Sequence, residues 1–298
     1  MGVVELTDTS QELSAWHYQQ LESGGILFFP RTPIGLSGEQ RQVLLSQRQS
    51  EASYHKNIAY RPSEDAITGI ARGSDRDQLR RILKEYCQKA AGVLTHLLPR
   101  YASSSRLDLT SFRPFQEEGR TLPLRARNDL LHIDAFPTRP TNGDRILRFF
   151  TNIHPEQRRV WLTSEPFPAL VRRFAEEGRL LAVARKRSSP LYQTLARIAR
   201  FARLSPRLRS PYDAIMLRFH HFLKENHQFQ ESCPKVRVEF PPLSSWLVFT
   251  DMVSHAVLAG QYALEQTFIV SRKALLHPDQ APVNILERLA RVPLTWRV

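Results

Sequence analysis

The sequence is poor in cysteine and contains no long apolar run. Its 298 residues include two cysteines, Cys87 and Cys233, which are too few for a disulfide framework or a cysteine-based zinc site. No stretch of about 18 uncharged apolar residues occurs, so no transmembrane helix is expected. The N-terminus carries Glu5 and Asp8 in place of an apolar segment and does not resemble a signal peptide. We therefore expect a protein of the reducing cytoplasm.

Acidic residues are also scarce relative to basic ones. The chain has 42 Lys and Arg against 29 Asp and Glu, a formal net charge of +13. Residues 169–224 contain thirteen Lys or Arg and three acids, so this segment carries ten of the thirteen net charges. Such an excess favours an anionic partner, for example nucleic acid, phospholipid or an acidic glycan. A solvated basic surface without a partner is the alternative.

The basic segment has the pattern of an amphipathic helix. Apolar residues recur at helical spacing and arginines lie on the opposite side, namely Leu191, Leu195, Ile198 and Ala202 against Arg197, Arg200 and Arg203. A helix of this kind binds an anionic membrane surface with its apolar stripe at the acyl boundary. The alternative is that the stripe packs on the protein and the arginines face water.

The other elements are N-terminal helices followed by short strands. Residues 74–98 have apolar side chains at spacings of three and four, which predicts a long core-facing helix that ends before Pro99. Later segments rich in Phe, Ile, Val and Trp are separated by Pro, Gly and Asn, as in antiparallel strands. We expect an α+β fold with a mainly β core, a sandwich or barrel. The predicted parts of this single domain, 1–298, are core strands at about 120–165 and 235–275 with a basic helical insert at about 169–230.

His132 and Asp134 form a His-x-Asp pair in the strand-like segment LLHIDAF. Residues i and i+2 of a strand project from one face, so the imidazole and the carboxylate lie side by side. They would supply two ligands of a 2-His-1-carboxylate triad, which leaves iron(II) positions open for co-substrate and oxygen. His255 is the best third ligand, because it lies in a later apolar segment that a glycine ends. The alternative is that these are core histidines without a metal; His220 and His221, in the basic segment, form no comparable triad.

These residues resemble a known family. The pair His132-x-Asp134, with His255 in the pattern Asp-x-x-x-His-Ala-Val-x-x-Gly, resembles the Fe(II)/2-oxoglutarate oxygenase superfamily, whose fold is a double-stranded β-helix (jelly roll). More narrowly, the segments LLHIDAFPTRPTNGDRILRFFTNIHP and HAVLAGQYALEQTF resemble the 3-deoxy-D-manno-octulosonic acid (Kdo) hydroxylases of Gram-negative bacteria. The resemblance extends over most of the chain. It implies iron(II) as cofactor, 2-oxoglutarate as co-substrate, and hydroxylation of carbon 3 of a Kdo sugar in the lipid A–inner core of lipopolysaccharide.

The distal carboxylate of 2-oxoglutarate is expected to bind a buried guanidinium, whose planar fork matches a carboxylate. Arg148 is the first candidate, and Asn152 lies on the same face of the predicted strand 145–153. Gln266 stands eleven residues after His255, where many enzymes of this superfamily have an arginine, and Arg272 follows it.

The substrate that the resemblance implies is Kdo-lipid A or a related anionic glycolipid, which fits the basic charge. Arg127 and Arg139 flank the metal motif and are candidates for sugar recognition. Residues 185–209, including Arg197, Arg200 and Arg203, are the candidate for peripheral docking on the cytoplasmic face of the inner membrane.

Other functions remain open at this point. The protein could be a 2-oxoglutarate oxygenase acting on another lipid or on a protein, a cupin-like metal protein with a different reaction, or a basic nucleic-acid-binding protein. No helix-turn-helix, RNP or zinc-finger pattern occurs, and aromatic residues are not interleaved with the basic ones. A nucleic acid partner is therefore not expected.

Overall fold

The computed structural model describes residues 2–48, 57–119, 121–201 and 208–296. Within these ranges, no helix has the length and apolarity needed to cross a membrane. The fold is mixed α+β and is organised around one large and one small sheet.

Eleven strands and ten α-helices occur in the described residues. The strands are β1 (Val3–Glu5), β2 (Ile26–Phe29), β3 (Ile58–Arg61), β4 (Ala66–Thr68), β5 (Ser105–Arg113), β6 (Arg145–Asn152), β7 (Arg159–Pro166), β8 (Val236–Phe240), β9 (Ser245–Phe249), β10 (Val253–Ala259) and β11 (Ala263–Val270). The helices are α1 (Ala15–Glu22), α2 (Gly38–Leu45), α3 (Arg76–Leu97), α4 (Pro99–Ala102), α5 (Phe167–Phe174), α6 (Leu180–Ser188), α7 (Pro190–Phe201), α8 (Pro211–Glu225), α9 (His227–Ser232) and α10 (Pro282–Ala290).

The large sheet has the strand order β1-β2-β9-β6-β11-β5-β3-β4, and the small sheet has the order β10-β7-β8. Strands β6 and β11 lie at the centre of the large sheet, and every residue in both is buried. An apolar cluster joins the sheets: Phe150 and Trp246 of the large sheet meet Trp161 and Phe240 of the small sheet, with the Phe240 and Trp246 rings stacked at 3.7 Å between centroids. The two sheets therefore pack face to face around aromatic side chains.

The apolar run at residues 26–30 predicts a strand, which β2 confirms, but the large sheet contains further strands that precede the predicted core regions. Strand β5 precedes the predicted core region of 120–165 and pairs with β11, and β1–β4 also join the large sheet. The exposed and partly buried residues in the first half of β5 conceal the apolar pattern that would identify a core strand.

The prediction of a strand at His132 was wrong. The segment forms a single antiparallel bridge, in which the His132 amide donates to the His255 carbonyl at 3.1 Å and the His255 amide donates back at 2.8 Å. The Asp134 amide then donates to the Thr250 carbonyl at 2.8 Å. These three bonds fix the His132–Asp134 segment against the small sheet without a continuous ladder.

Helix α3 begins at Arg76, inside the predicted range of 74–98, because the Asp75 side chain caps it by accepting the Gln78 amide. Helices α5–α9 lie between β7 and β8. The amphipathic pattern that begins at Leu191 lies on α7, and the docking segment 185–209 also includes the end of α6, which stops at Ser188 before α7 begins at Pro190. Proline lacks an amide hydrogen and cannot continue a helix from the preceding turn.

Candidate active site

Three side chains meet on the inner face of the small sheet. One ligand atom from each of His132, Asp134 and His255 lies within 4.8 Å of the others, and all three residues are buried. The backbone bridge between the two histidines brings them together across a sequence separation of more than a hundred residues. This set of two imidazoles and one carboxylate is the donor set of a facial iron(II) site.

The two imidazoles are held in one tautomer. The Nδ1 of His132 donates to the Leu130 carbonyl at 2.7 Å, and the Nδ1 of His255 donates to the Val253 carbonyl at 3.0 Å. A carbonyl only accepts, so Nδ1 carries the proton in each ring and Nε2 is left as a bare donor atom for a metal. Burial lowers the pKa of both histidines, which keeps them neutral. The Trp161 ring stacks on His255 at 5.2 Å between centroids and restricts its orientation.

Asp134 divides its two oxygens between different partners. Its Oδ2 accepts from Nη1 of Arg148 at 2.5 Å, whereas Oδ1 lies 3.7 Å from Nε2 of His132. Burial alone would raise the pKa of Asp134, but the Arg148 guanidinium outweighs it and holds the pKa below its usual range. The carboxylate is therefore ionised, and Oδ1 is the oxygen that faces Nε2 of His132.

A buried chain of alternating charges extends from Asp134 along the cavity wall. Arg148 also contacts Glu265, which pairs with Arg113 at 3.3 Å. Arg113 in turn contacts Glu117 at 3.0 Å, and the same Glu117 oxygen lies 3.4 Å from Arg159 at the end of the chain. The charge of Arg159 is only partly compensated. Burial lowers the pKa of Arg159 to about 10, although the nearby Glu117 carboxylate opposes this shift.

A cavity of about 270 Å³ opens over the three candidate ligands. Its wall includes four side chains with a buried nitrogen for which the described residues provide no hydrogen-bond acceptor, namely Nε of Arg113, Arg148 and Arg159 and Nε1 of Trp161. Unsatisfied buried donors are costly and rare in native proteins. The same cavity wall carries three guanidinium groups, and guanidinium groups bind carboxylates well, which fits a small dianion such as 2-oxoglutarate.

The other residues predicted to bind the co-substrate lie elsewhere. The Asn152 amide donates to the Gln157, Phe240 and Pro241 carbonyls and so ties loops together. Gln266 bonds to Thr110 and to the Thr267 carbonyl within the large sheet, and Arg272 reaches Thr295 near the C-terminus. These three side chains are used inside the fold, and none of them lines the cavity over the candidate ligands.

The arginines predicted to recognise the sugar are paired near the surface. Arg127 binds Asp129 at 2.5 Å, and Arg139 binds Asp108 while its guanidinium lies 3.9 Å from the centroid of the Phe136 ring. Phe136 lines the cavity, whereas neither arginine does. Of the docking candidates, Arg197 and Arg200 belong to α7, although their side chains are outside the described structure, and Arg203 lies outside the described residues.

Several cavity residues were not predicted from the sequence. Arg159 and Trp161 alternate along β7 on the face that meets His255, so strand alternation would have found them once the pairing of Thr163 with His255 was known. His220 and Lys224 of α8 also line the cavity. Their spacing of four residues places them on one face of a helix, but nothing local indicates which face meets the site.

Comparison with known proteins agrees with this geometry. The family model for 3-deoxy-D-manno-oct-2-ulosonic acid (Kdo) hydroxylase matches residues 5–293.

Three solved structures of the Kdo hydroxylase KdoO, a non-heme Fe(II) alphaketoglutarate dependent dioxygenase, are similar over nearly all of both chains. The apo form has a TM-score of 0.84 at 32% identity, with 100% of each chain covered. The complex with alphaketoglutarate and Fe(III) has a TM-score of 0.83 at 32% identity, also with 100% of each chain covered. The cobalt(II) complex has a TM-score of 0.84 at 33% identity, with 99% of each chain covered. A search of curated proteins found no significant match. The family resemblance drawn from the sequence is confirmed, and the chain belongs to the Kdo hydroxylase family.

Proposed function

We propose that the protein is an Fe(II)-, 2-oxoglutarate- and O₂-dependent hydroxylase that acts on carbon 3 of a Kdo sugar in the lipid A–inner core of lipopolysaccharide. The observation that carries the proposal is the buried cluster of His132, Asp134 and His255, whose ligand atoms lie within 4.8 Å of one another. Membership of the Kdo hydroxylase family supports the sugar.

When bound, iron(II) with 2-oxoglutarate and O₂ supplies the oxidising power to insert one oxygen atom into a C–H bond, while the 2-oxo acid becomes succinate and CO₂. The protein's own residues bind and orient. His132 and His255 present unprotonated Nε2 atoms because their Nδ1–H groups donate hydrogen bonds to backbone carbonyls. Asp134 presents Oδ1 because Arg148 holds Oδ2. Phe150, Trp161 and Val257 add apolar surface to a cavity wall that is otherwise largely polar.

The same proposal assigns the 2-oxoglutarate site to Arg113, Arg148, Arg159 and Trp161. Arg159 is the residue we assign to the distal carboxylate, because among the described residues its one carboxylate contact is the 3.4 Å approach of Glu117. Both terminal nitrogens of Arg148 are occupied by Asp134 and Glu265, so Arg148 is assigned to the end of the co-substrate nearer to the metal.

The architecture supports a finer description of the fold. We interpret the two face-to-face sheets, with the metal ligands between β10 and the bridge at His132, as a double-stranded β-helix, and α5–α9 as a basic helical insert between its strands. We also propose that residues 1–298 form one domain, since β1 and β2 at the N-terminus and β11 near the C-terminus belong to the same sheet.

We further propose peripheral contact with an anionic membrane through α6 and α7, on the cytoplasmic face of the inner membrane. Leu191 and Ile198 of α7 are 73% and 57% exposed and lie seven residues apart, so they face the same side. Arg185 and Lys186 at the end of α6 are exposed as well. Replacing Leu191 and Ile198 by Glu should abolish sedimentation with vesicles containing an anionic phospholipid, and unchanged sedimentation would refute the contact.

The test of the proposed function is an anaerobic titration of the purified protein with iron(II) and then 2-oxoglutarate, followed by assays of Kdo-lipid A turnover. A weak visible charge-transfer band should require both additions and should be lost in His132→Ala and His255→Ala. Hydroxylated Kdo and succinate should then form in equal amounts. A folded wild-type protein without the band would refute the proposal, and turnover of an acyl-CoA or a peptide in place of Kdo-lipid A would change the substrate alone.

A further inference from the structure

Helix α8 presents polar side chains to the cavity, although it is largely a core helix. Its apolar residues, including Ile215, Phe219 and Leu223, are fully buried. On the adjoining face, His220 and Lys224 line the cavity above the metal ligands. Two polar side chains four residues apart on one buried helix form a rigid pair, because neighbouring positions of a helix surface keep a fixed separation.

His220 offers a hydrogen-bond acceptor to the cavity. Its Nδ1 donates to the Ile133 carbonyl at 2.6 Å, so the proton lies on Nδ1 and Nε2 is a bare acceptor. The ring stands edge-on to His132 at 4.9 Å between centroids, which places it beside the metal site. A hydrogen-bond acceptor at this place suits a hydroxyl group of a ligand.

Lys224 brings a positive charge to the same wall. Only 4% of the residue is exposed, and its ammonium donates to the Arg125 carbonyl at 3.2 Å.

The cavity as a whole is electropositive. Among the described residues that line it, five are Lys or Arg and one, Asp134, is acidic. Glu117 and Glu265 lie behind the arginines and offset part of this excess. Iron(II) and the 2-oxoglutarate dianion add no net charge together, so the loaded site keeps its preference for one more anion.

The chemistry of a 2-ulosonic acid matches this pair. Carbon 3 lies between carbon 2, which bears the carboxylate, and carbon 4, which bears an oxygen. A sugar with carbon 3 at the metal must therefore place its carboxylate and this oxygen close to the metal, on opposite sides of the reacting carbon. The site needs a cation and a hydrogen-bond acceptor at short range, and α8 carries one of each.

We propose that α8 is the sugar-reading element of the enzyme: Lys224 binds the substrate carboxylate and His220 accepts a hydrogen bond from the hydroxyl beside carbon 3. This inference rests on the proposed function, since it assumes that a Kdo sugar occupies the cavity. It assigns the discrimination between acidic and neutral sugars to a helix outside both sheets.

The experiment measures sugar binding to the anaerobic iron(II)–2-oxoglutarate complex through changes in its visible band. The probes are the methyl glycoside of Kdo, which carries the carboxylate, and the methyl ester of that glycoside, which lacks the charge. Lys224→Met removes the cation with little change in length. His220→Asn keeps a donor for the Ile133 carbonyl but removes the Nε2 acceptor, whereas His220→Gln places an acceptor near the position of Nε2. The matched controls are His221→Asn on the same helix and the exposed Lys235→Met, neither of which lines the cavity.

We expect the wild type to bind the acid about 10- to 100-fold more tightly than the ester, and Lys224→Met to lose this difference. His220→Asn should weaken both probes about 5- to 10-fold, as for one lost hydrogen bond, and His220→Gln should recover part of the loss. The Kd of 2-oxoglutarate should be unchanged in all variants. A wild type that forms the band but binds neither probe, or variants that bind as the wild type does, would overturn this inference alone. A wild type without the band would overturn the proposed function as well.

Discussion

Arg159→Met is the substitution that tests the co-substrate site most directly. The Arg159 side chain is 1% exposed, lines the cavity and has one carboxylate contact, to Glu117 at 3.4 Å. Its removal does not isolate Glu117, because Arg113 lies 3.0 Å and Asn128 3.3 Å from the same carboxyl group. The folded structure should therefore survive a change that removes the proposed partner of the distal carboxylate.

The expected increase in the Kd of 2-oxoglutarate follows from the loss of a desolvated ion pair. Truncating one partner of a buried hydrogen-bonded charge pair costs about 2–4 kcal/mol, which corresponds to an increase of about 30- to 1000-fold in Kd. Iron(II) binding should be unaffected, since Arg159 contacts none of the three metal ligands.

The assay is the titration of the iron(II)-loaded protein with 2-oxoglutarate under anaerobic conditions. Arg158→Met is the matched control, because the Arg158 side chain is 60% exposed and lies 3.5 Å from Glu239 on the outer side of the strand. A Kd for 2-oxoglutarate in Arg159→Met within about threefold of the wild type would refute the assignment. An equal loss in Arg158→Met would show that surface charge, and not the cavity contact, is responsible.

Three other substitutions or conditions test the same geometry. Trp161→Phe removes the unsatisfied Nε1 donor and should raise the Kd of 2-oxoglutarate by about 3- to 10-fold, as for one hydrogen bond; an unchanged Kd would contradict a contact with the co-substrate. Glu265→Gln removes the negative charge that Arg148 and Arg113 share, so urea unfolding should show a free energy of unfolding lowered by about 3 kcal/mol or more. A decrease of less than about 1 kcal/mol would mean that the charge chain does not stabilise the fold. In the metal-free protein, stability should fall as the pH drops from 7 to 5, because the unfolded chain protonates its histidines near pH 6.5 while the folded pKa of His220 is lowered to about 3. Unfolded chains then bind more protons than folded ones. Each histidine that stays neutral in the fold therefore lowers the free energy of unfolding by up to about 1.4 kcal/mol for every pH unit below its unfolded pKa. The slope should be shallower in His220→Asn, and an equal slope in the variant and the wild type would contradict the neutral, buried state of this ring.

The sequence indicated the candidate metal ligands more precisely than it indicated the structure around them. His132 and Asp134 were placed on one strand, but they lie on an extended segment with a single bridge to His255. The prediction of adjacent side chains did not depend on a full ladder, because Oδ1 of Asp134 and Nε2 of His132 are 3.7 Å apart in the observed geometry.

The co-substrate residues illustrate the limits of local patterns. Arg148 was predicted because it lies in an apolar segment beside the metal motif, and it does line the cavity. Gln266 was predicted from its spacing after His255, but its side chain bonds to Thr110 inside the large sheet. Spacing along the chain does not reveal which face of a strand is turned towards the cavity.

By itself, the sequence determined the family and the candidate donor types, because a motif and its spacing are local properties. Only the tertiary structure decided which of many arginines face the cavity. Arg113 and Arg159 reach it through the register of β5 and β7 with their neighbours, and Lys224 reaches it through the packing of α8. These contacts join residues that are distant along the chain, and a basic side chain has the same local pattern whether it faces water or a buried carboxylate.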